Sequence, residues 1–178
     1  MKPYVLAAYN WLRFRWIKLR SCKNLCAGSV ELLGWNSRFS FHPQSSVTLG
    51  ERVVSDGRTV IITGSQATLK IGSSVYFNEN AMISCKNSVS IGDGCRFGPN
   101  ISIWDNDHKY SAQEGVSAEH VTSPVVIGKN CWIGTNVVIL RGSSIGDNCV
   151  IGAGCVIKGN IPAGTLVTAS RELNFRSI

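Results

Sequence analysis

VVIGKNCWIGTNVVILRGSSIGDNCVIGAGCVIK, residues 125–158, carries an isoleucine at every sixth position: Ile127, Ile133, Ile139, Ile145, Ile151 and Ile157. A helix repeats its faces about every 3.6 residues and a strand every second residue, so this interval marks neither alone. Two residues before each isoleucine stand Val125, Cys131, Val137, Ser143, Cys149 and Cys155. Residues two apart on a strand share a face. Gly128, Gly134, Gly146 and Gly152 follow four of the isoleucines, where a backbone without Cβ is free to bend. Each hexad therefore reads as a short strand and a corner. One hexad cannot bury its pair alone, but stacked coils can, and the pattern predicts an all-β parallel β-helix.

Outward from this stretch the pairs run back through Ile101/Ile103, Cys95/Phe97 and Val89/Ile91, then Ala81/Ile83, Val75/Phe77, Leu69/Ile71 and Val47/Leu49, beginning around Val30/Leu32. The phase slips by two between Cys85 and Ser88, which reads as a lengthened corner. The repeat is poor from Arg52 to Gly64. After Ile103 the pattern stops and resumes only at Val125, so residues 104–123 are expected to form one long loop thrown out of the solenoid. The expected organisation is a basic N-terminal segment (1–28), a β-helix domain (29–168) and a short C-terminal tail (169–178).

A chain of 178 residues that is 44% hydrophobic suffices for one domain with a sizeable core. The net charge of +7 would suggest nucleic acid if the cations formed a stripe through the fold. They do not: Lys2, Arg13, Arg15, Lys18, Arg20 and Lys23 all precede the first acidic residue, Glu31, so no nucleic-acid partner is expected. Of the seven cysteines, Cys95, Cys131, Cys149 and Cys155 fill the small-residue slot of the repeat as buried thiols. Their odd number, without a signal peptide, points to a reducing, cytoplasmic compartment. Cys22 and Cys26 lack a second ligand pair, and no metal is expected. No apolar run approaches the ~20 residues of a membrane span.

Residues 4–25 mix Trp11, Phe14, Trp16, Ile17 and Leu19 with arginine and lysine and predict a helix. Two compatible accounts follow. The helix caps the first coil, as terminal repeats require, or residues 1–23 rest on an anionic membrane surface, at the inner face of the cytoplasmic membrane. The extruded segment holds Asp105, Asp107, His108 and His120, the densest titratable cluster in the chain. Histidine suits proton transfer near neutrality, and a loop histidine beside carboxylates is a candidate base; a solvated turn is the plain alternative.

With these residues in view, the stretch from Leu69 to Val167 resembles the hexapeptide-repeat acyltransferases, and the resemblance implies a left-handed helix and acetyl-CoA as donor. Within that family it is similar to the galactoside, maltose and xenobiotic O-acetyltransferases. FGPNISI before WDNDH (97–108), VYFNEN (75–80) and CWIGTN (131–136) carry the likeness. It implies catalysis by His108 with Asn78, and substrate contact by Asp105 and Trp132. It also implies cofactor contact by Gly134, Thr135, Ala153 and Lys158, with Arg171 or Arg176 as further phosphate partners. His108 would take the proton of an acceptor hydroxyl as that oxygen attacks the thioester, oriented by Asp105 or Asp107, with backbone N–H groups near Gly134 and Thr135 facing the oxyanion.

The implied assembly is a homotrimer with the donor between subunits and a carbohydrate acceptor of surface polysaccharide biosynthesis. Serine or an antibiotic is the alternative acceptor, and a non-catalytic scaffold the alternative role. After Ile161-Pro162 the chain departs from the family's usual cofactor-holding tail. A three-histidine zinc enzyme on the same fold fits poorly, because His42, far upstream, is the only histidine besides His108 and His120.

Overall fold

A computed structural model describes residues 2–170. Helix α1 (Pro3–Arg20) is followed by short parallel strands that visit three flat faces in turn. In chain order these are β1 (Asn24–Cys26), β2 (Arg38–Ser40), β3 (Ser46–Leu49), β4 (Val54–Ser55), β5 (Thr59–Thr63), β6 (Thr68–Ile71), β7 (Tyr76–Phe77), β8 (Ala81–Cys85), β9 (Ser88–Ile91), β10 (Arg96–Phe97) and β11 (Ser102–Trp104). After β12 (Asn106–Ser111) and β13 (Gly115–Thr122) the circuit resumes with β14 (Val125–Ile127), β15 (Trp132–Ile133), β16 (Val138–Ile139), β17 (Ser144–Ile145), β18 (Val150–Ile151), β19 (Val156–Ile157), β20 (Asn160–Ile161) and β21 (Leu166–Val167).

Face I stacks β1-β3-β6-β9-β14-β17-β20, face II β4-β7-β10-β15-β18-β21, and face III β2-β5-β8-β11-β16-β19. Every pairing within a face is parallel. Like residues sit over like: Ile103 pairs with Ile139 and Ile139 with Ile157. The pairs from Val125/Ile127 to Cys155/Ile157 are buried, each residue at most 4% exposed. Partners lie 22 residues apart in the early coils, then 20, 18 and, at the last coil, 16, as for Ser144 and Asn160, so the prism narrows along its length.

The corner glycines serve a purpose other than torsional freedom. Gly128, Gly134, Gly146 and Gly152 stay out of the left-handed region, which is taken instead two residues later by Asn130, Asn136 and Asn148, at φ of 55°, 55° and 58°, and by Gly154 at 71°. Asparagine tolerates that region better than other non-glycine residues. The glycines give clearance: a Cβ on Gly134 would lie 2.8 Å from the Ala153 nitrogen in the next coil. The left-handed asparagines also stack, Asn80 Nδ2 donating to Asn100 Oδ1 (3.2 Å) and Asn100 Nδ2 to Asn136 Oδ1 (3.0 Å).

At the N-terminal end α1 covers the open core. Phe14 and Ile17 are buried in the same apolar cluster as the coils, and the Phe14 and Phe39 rings lie 5.2 Å apart. The buried Asn10 amide donates to the Leu33 carbonyl at 2.8 Å and the Glu31 carbonyl at 3.3 Å. This grip corrects the expected first pair. Val30 is 41% exposed and Leu32 half-buried, while Glu31 and Leu33 point inward. The poor stretch from Arg52 to Gly64 is an ordinary coil whose inward positions include the polar Ser55, Thr59 and Thr63, which hides it from an apolar pattern.

Glu31 is the cost of that shifted phase. One carboxylate oxygen accepts the Val53 N–H at 3.0 Å, the other is buried against Gly28 with no hydrogen bond of normal geometry among the described residues, and burial pushes its pKa up to about 8. The folded state thus keeps a proton that an unfolded glutamate releases near 4.5. Its contribution to stability is complete below that value and is lost as pH rises through about 8. Glu31→Gln is expected to melt several degrees above the parent at pH 8.5 and level with it at pH 4; thermal denaturation followed by circular dichroism at the two pH values checks this.

Candidate active site

Residues 104–123 form a β-hairpin where a loop was expected. β12 and β13 pair antiparallel, with His108 opposite His120 and Tyr110 opposite Val116. The hairpin leaves the corner between faces III and I, and β14 then regains the stack as if nothing had been inserted, Ile127 pairing with Ile91. Lys109 and Glu119 tie its flanks at 2.9 Å, holding the Glu119 carboxyl below its usual range.

Asp105 fixes the root of the hairpin. It is fully buried, and its carboxylate accepts the Lys86 N–H at 2.8 Å, the Asn87 N–H at 2.7 Å and the Asn106 side-chain amide at 2.9 Å. The two-residue slip at Lys86 and Asn87 is thus a corner whose free amides are closed by the next coil. This overturns the expectation that Asp105 touches substrate or orients His108, since its oxygens are already taken inside the protein. Its charge, with burial the larger cause, pushes the neighbouring Cys85 thiol up to about 12, so that sulfur stays protonated and inert. Asp107 lines the same cavity as His108, but its Oδ2 is engaged by Arg141 Nε at 2.5 Å.

His108 is oriented by the backbone. Its Nδ1 lies 3.2 Å from the Ser117 carbonyl oxygen. A carbonyl only accepts, so Nδ1 carries the proton and the Nε2 lone pair of the neutral ring is left free to act as a base. The His120 ring meets His108 edge-on, with centroids 4.5 Å apart, and its buried Nδ1 has no partner among the described residues. Both rings line a cavity of about 410 Å³ walled by Ser84, Lys86, Trp104 and Leu140.

The other expected site residues lie elsewhere on the prism. Trp132 stands on face II, 59% exposed. Asn78, Gly134, Thr135 and Ala153 follow face II strands, at the corner between faces II and III. Asn78 is half-buried and its Oδ1 accepts the Glu79 N–H at 2.8 Å. Lys158, exposed, follows β19 at the corner that bears the hairpin. None of these lines the His108 cavity within one chain. The Gly134 N–H is also spent, on the Ile151 carbonyl at 2.7 Å, and cannot serve an oxyanion. Arg171 and Arg176 lie outside the described residues. Sequence reasoning missed Arg141, whose place in the repeat carries no chemical signal, and the Ser117 carbonyl, which no side chain announces.

A parallel prism with a histidine-bearing hairpin at one corner defines a class, and comparison with known proteins gives the same one: the chain belongs to the hexapeptide-repeat acyltransferases. Residues 124–159 match the family model described as bacterial transferase hexapeptide (six repeats). The chain is 34% identical over 144 residues to the galactoside O-acetyltransferase of Escherichia coli K12, an alignment spanning 78% of this chain and 70% of that one. It is 28% identical over 131 residues to the putative lipopolysaccharide biosynthesis O-acetyl transferase WbbJ of the same organism, over 68% and 67% of the two chains. Alignments to other curated acetyltransferases span as little as 52% of the relative. Among solved structures, AntD, an N-acyltransferase from Bacillus cereus crystallised as its S84T mutant with dTDP and coenzyme A, shares the fold at a TM-score of 0.64 and 14% identity, over 92% of this chain and 89% of that one.

Two outcomes test this construction. Asp105→Ala strands two backbone N–H groups, each costing about 1–3 kcal/mol; urea unfolding is expected to show a loss of about 3–5 kcal/mol. The Arg141–Asp107 pair is part-exposed, with side chains 26% and 42% accessible, so Arg141→Ala is expected to cost no more than ~1 kcal/mol of stability. It should nonetheless lower kcat on the order of tenfold or more by loosening the hairpin, and Arg141→Lys should recover part of that loss in the same steady-state assay.

Proposed function

We propose that this chain is an acetyl-CoA-dependent O-acetyltransferase acting on a sugar hydroxyl, with His108 as general base. The observation that carries the reading is the His108 ring, held by the Ser117 carbonyl through Nδ1 so that Nε2 is the proton acceptor beside the cavity. The acceptor O–H gives its proton to Nε2 while its oxygen bonds to the thioester carbonyl carbon. The C–S bond then breaks, and the departing thiolate of coenzyme A recovers the proton from the imidazolium. No acyl-enzyme forms. Proton transfer of this kind is worth ~10²–10⁴-fold. The Thr135 N–H, unlike that of Gly134, is not engaged within the described residues and is the better oxyanion donor.

The separation of His108 from Asn78, Trp132, Thr135 and Ala153 supports a homotrimer in which the hairpin of one subunit faces the corner between faces II and III of the next, with the donor and Lys158 along the groove. Exposed Trp132, Val156 and Val126, accessible by 59%, 64% and 44%, give the flanks apolar surface for such contact. Likeness to galactoside and lipopolysaccharide O-acetyltransferases supports a carbohydrate acceptor in surface polysaccharide biosynthesis, and a cytoplasmic enzyme working beside the inner face of the membrane.

Thiol release from acetyl-CoA over a panel of sugars, nucleotide sugars, serine and aminoglycosides tests the reading. A sugar should be turned over, and His108→Ala should lose ~10²-fold or more in kcat with little change in acetyl-CoA binding. An undiminished rate in that variant removes His108 from the chemistry, and the absence of thiol release with every acceptor of the panel would leave the chain a scaffold.

A further inference from the structure

Helix α1 is apolar on two opposite sides. Asn10, Phe14 and Ile17 face the first coil, whereas Tyr4, Trp11, Leu12, Trp16 and Leu19 stay exposed, Leu19 by 82%. At about 100° per residue the exposed set spreads over the side turned away from the solenoid. No helix among the described residues is long and apolar enough to cross a membrane. Cations border this stripe and cover its rings: Arg15 lies 4.6 Å from the Trp11 ring centroid, Arg20 5.9 Å from Trp16 and Lys2 5.8 Å from Tyr4. No carboxylate precedes Glu31 to balance them.

A separate feature adjoins the stripe. Between α1 and β1, the edge strand of face I, lies a cavity of about 720 Å³, larger than the one at His108 and within the range of small-molecule sites. Trp11, Phe14 and Leu19 wall it from the helix and Leu25 and Ala27 from the first coil, and Arg15 and Lys18 belong to its lining. Its one acid, Glu51, has an oxygen engaged by the Ser29 N–H and hydroxyl, each at 2.9 Å. An apolar groove with two cations, continuous with an exposed aromatic stripe, fits a molecule that joins a hydrocarbon chain to an anionic head.

We propose that this groove seats the hydrocarbon chain of a phosphate-bearing membrane lipid, with the phosphate on Arg15 and Lys18, and that α1 docks the wide end of the prism on an anionic bilayer. A protein partner of this surface would have to cover aromatic area interleaved with cations and supply the carboxylates to meet them, whereas an anionic bilayer offers hydrocarbon and negative charge at once. Three coils separate β1 from the strand preceding the hairpin, ~14 Å at ~4.8 Å per coil, and α1 adds its ~10 Å diameter, so the root of the hairpin stands roughly 25 Å from the docked face, the reach of a sugar carried on an extended lipid-linked chain. The proposal deepens the membrane-side reading of the function but does not depend on the acetyl-transfer chemistry.

The test uses the full chain and two probes. Co-sedimentation with phosphatidylglycerol vesicles and with neutral phosphatidylcholine vesicles reads the surface, and titration with lysophosphatidylglycerol below its micelle concentration, followed by tryptophan fluorescence, reads the groove. Binding is expected for both anionic probes, weaker by on the order of fivefold for each of Arg15→Ser and Lys18→Ser, the effect of one cation near an anionic surface. Ala27→Trp, at an exposed position, should fill the groove and abolish saturable binding of the monomeric lipid. Equal binding to neutral and anionic probes, binding of inorganic phosphate in place of the lipid, or monomeric-lipid binding unaffected by Ala27→Trp overturns the proposal. Because the double variant R15S/K18S lies on the surface, its unchanged vesicle binding would do the same even if Ala27→Trp failed to fold. Acetyl transfer to a soluble sugar should persist in all of these variants, so a failure here and a failure of the catalytic reading are told apart.

Discussion

Parallel stacking of coil on coil is the constraint from which the rest follows. Each strand of the three faces bonds only to the same strand of the coils before and after, so residues of one kind must recur at one position around the circuit. A residue too many anywhere shifts every later side chain to the wrong face. The chain therefore tolerates extra length only at corners, and only if it leaves and returns at the same place. The hairpin at residues 106–122 does this, and the two-residue slip at Lys86 and Asn87 does it on a smaller scale. Asp105 closes both at once, one buried carboxylate joining a corner in one coil to the departure point in the next.

That arrangement gives the candidate site its character. The prism itself offers a regular surface of short side chains, and the chemistry is delivered by the one segment released from its register. The segment is firm: two strands, a flanking ion pair, the Arg141–Asp107 contact and a buried root hold it. His108 is consequently aimed by backbone geometry, through the Ser117 carbonyl, while the nearby carboxylates serve the hairpin. Edge-on contact with His120 adds a second constraint on the ring plane.

The apolar pairs from Val47 onward were legible because every one repeats a spacing that only this fold needs, and the hairpin was legible as a gap in that spacing. Its strands were not, since the polar run from Asn106 to Ser111 has no buried face to betray a strand. The first coil misled for a different reason. Its inward glutamate looks like surface, and its phase is set by the Asn10 amide, a tertiary contact from the helix. Asp105 and Asp107 illustrate the same limit at the site: sequence proximity to His108 suggested a catalytic partnership, whereas both carboxylates are consumed by backbone amides and an arginine far along the chain. Left-handedness came from resemblance and had no trace in the spacing.

The falling girth of the coils has an architectural consequence. A solid that needs 22 residues per circuit at one end and 16 at the other is a wedge. Wedges set flank to flank cannot stand parallel; their axes lean together toward the thin end. In the threefold assembly proposed above, such subunits would make a blunt cone, and its broad base is where the three helices would spread their tryptophans in a common plane.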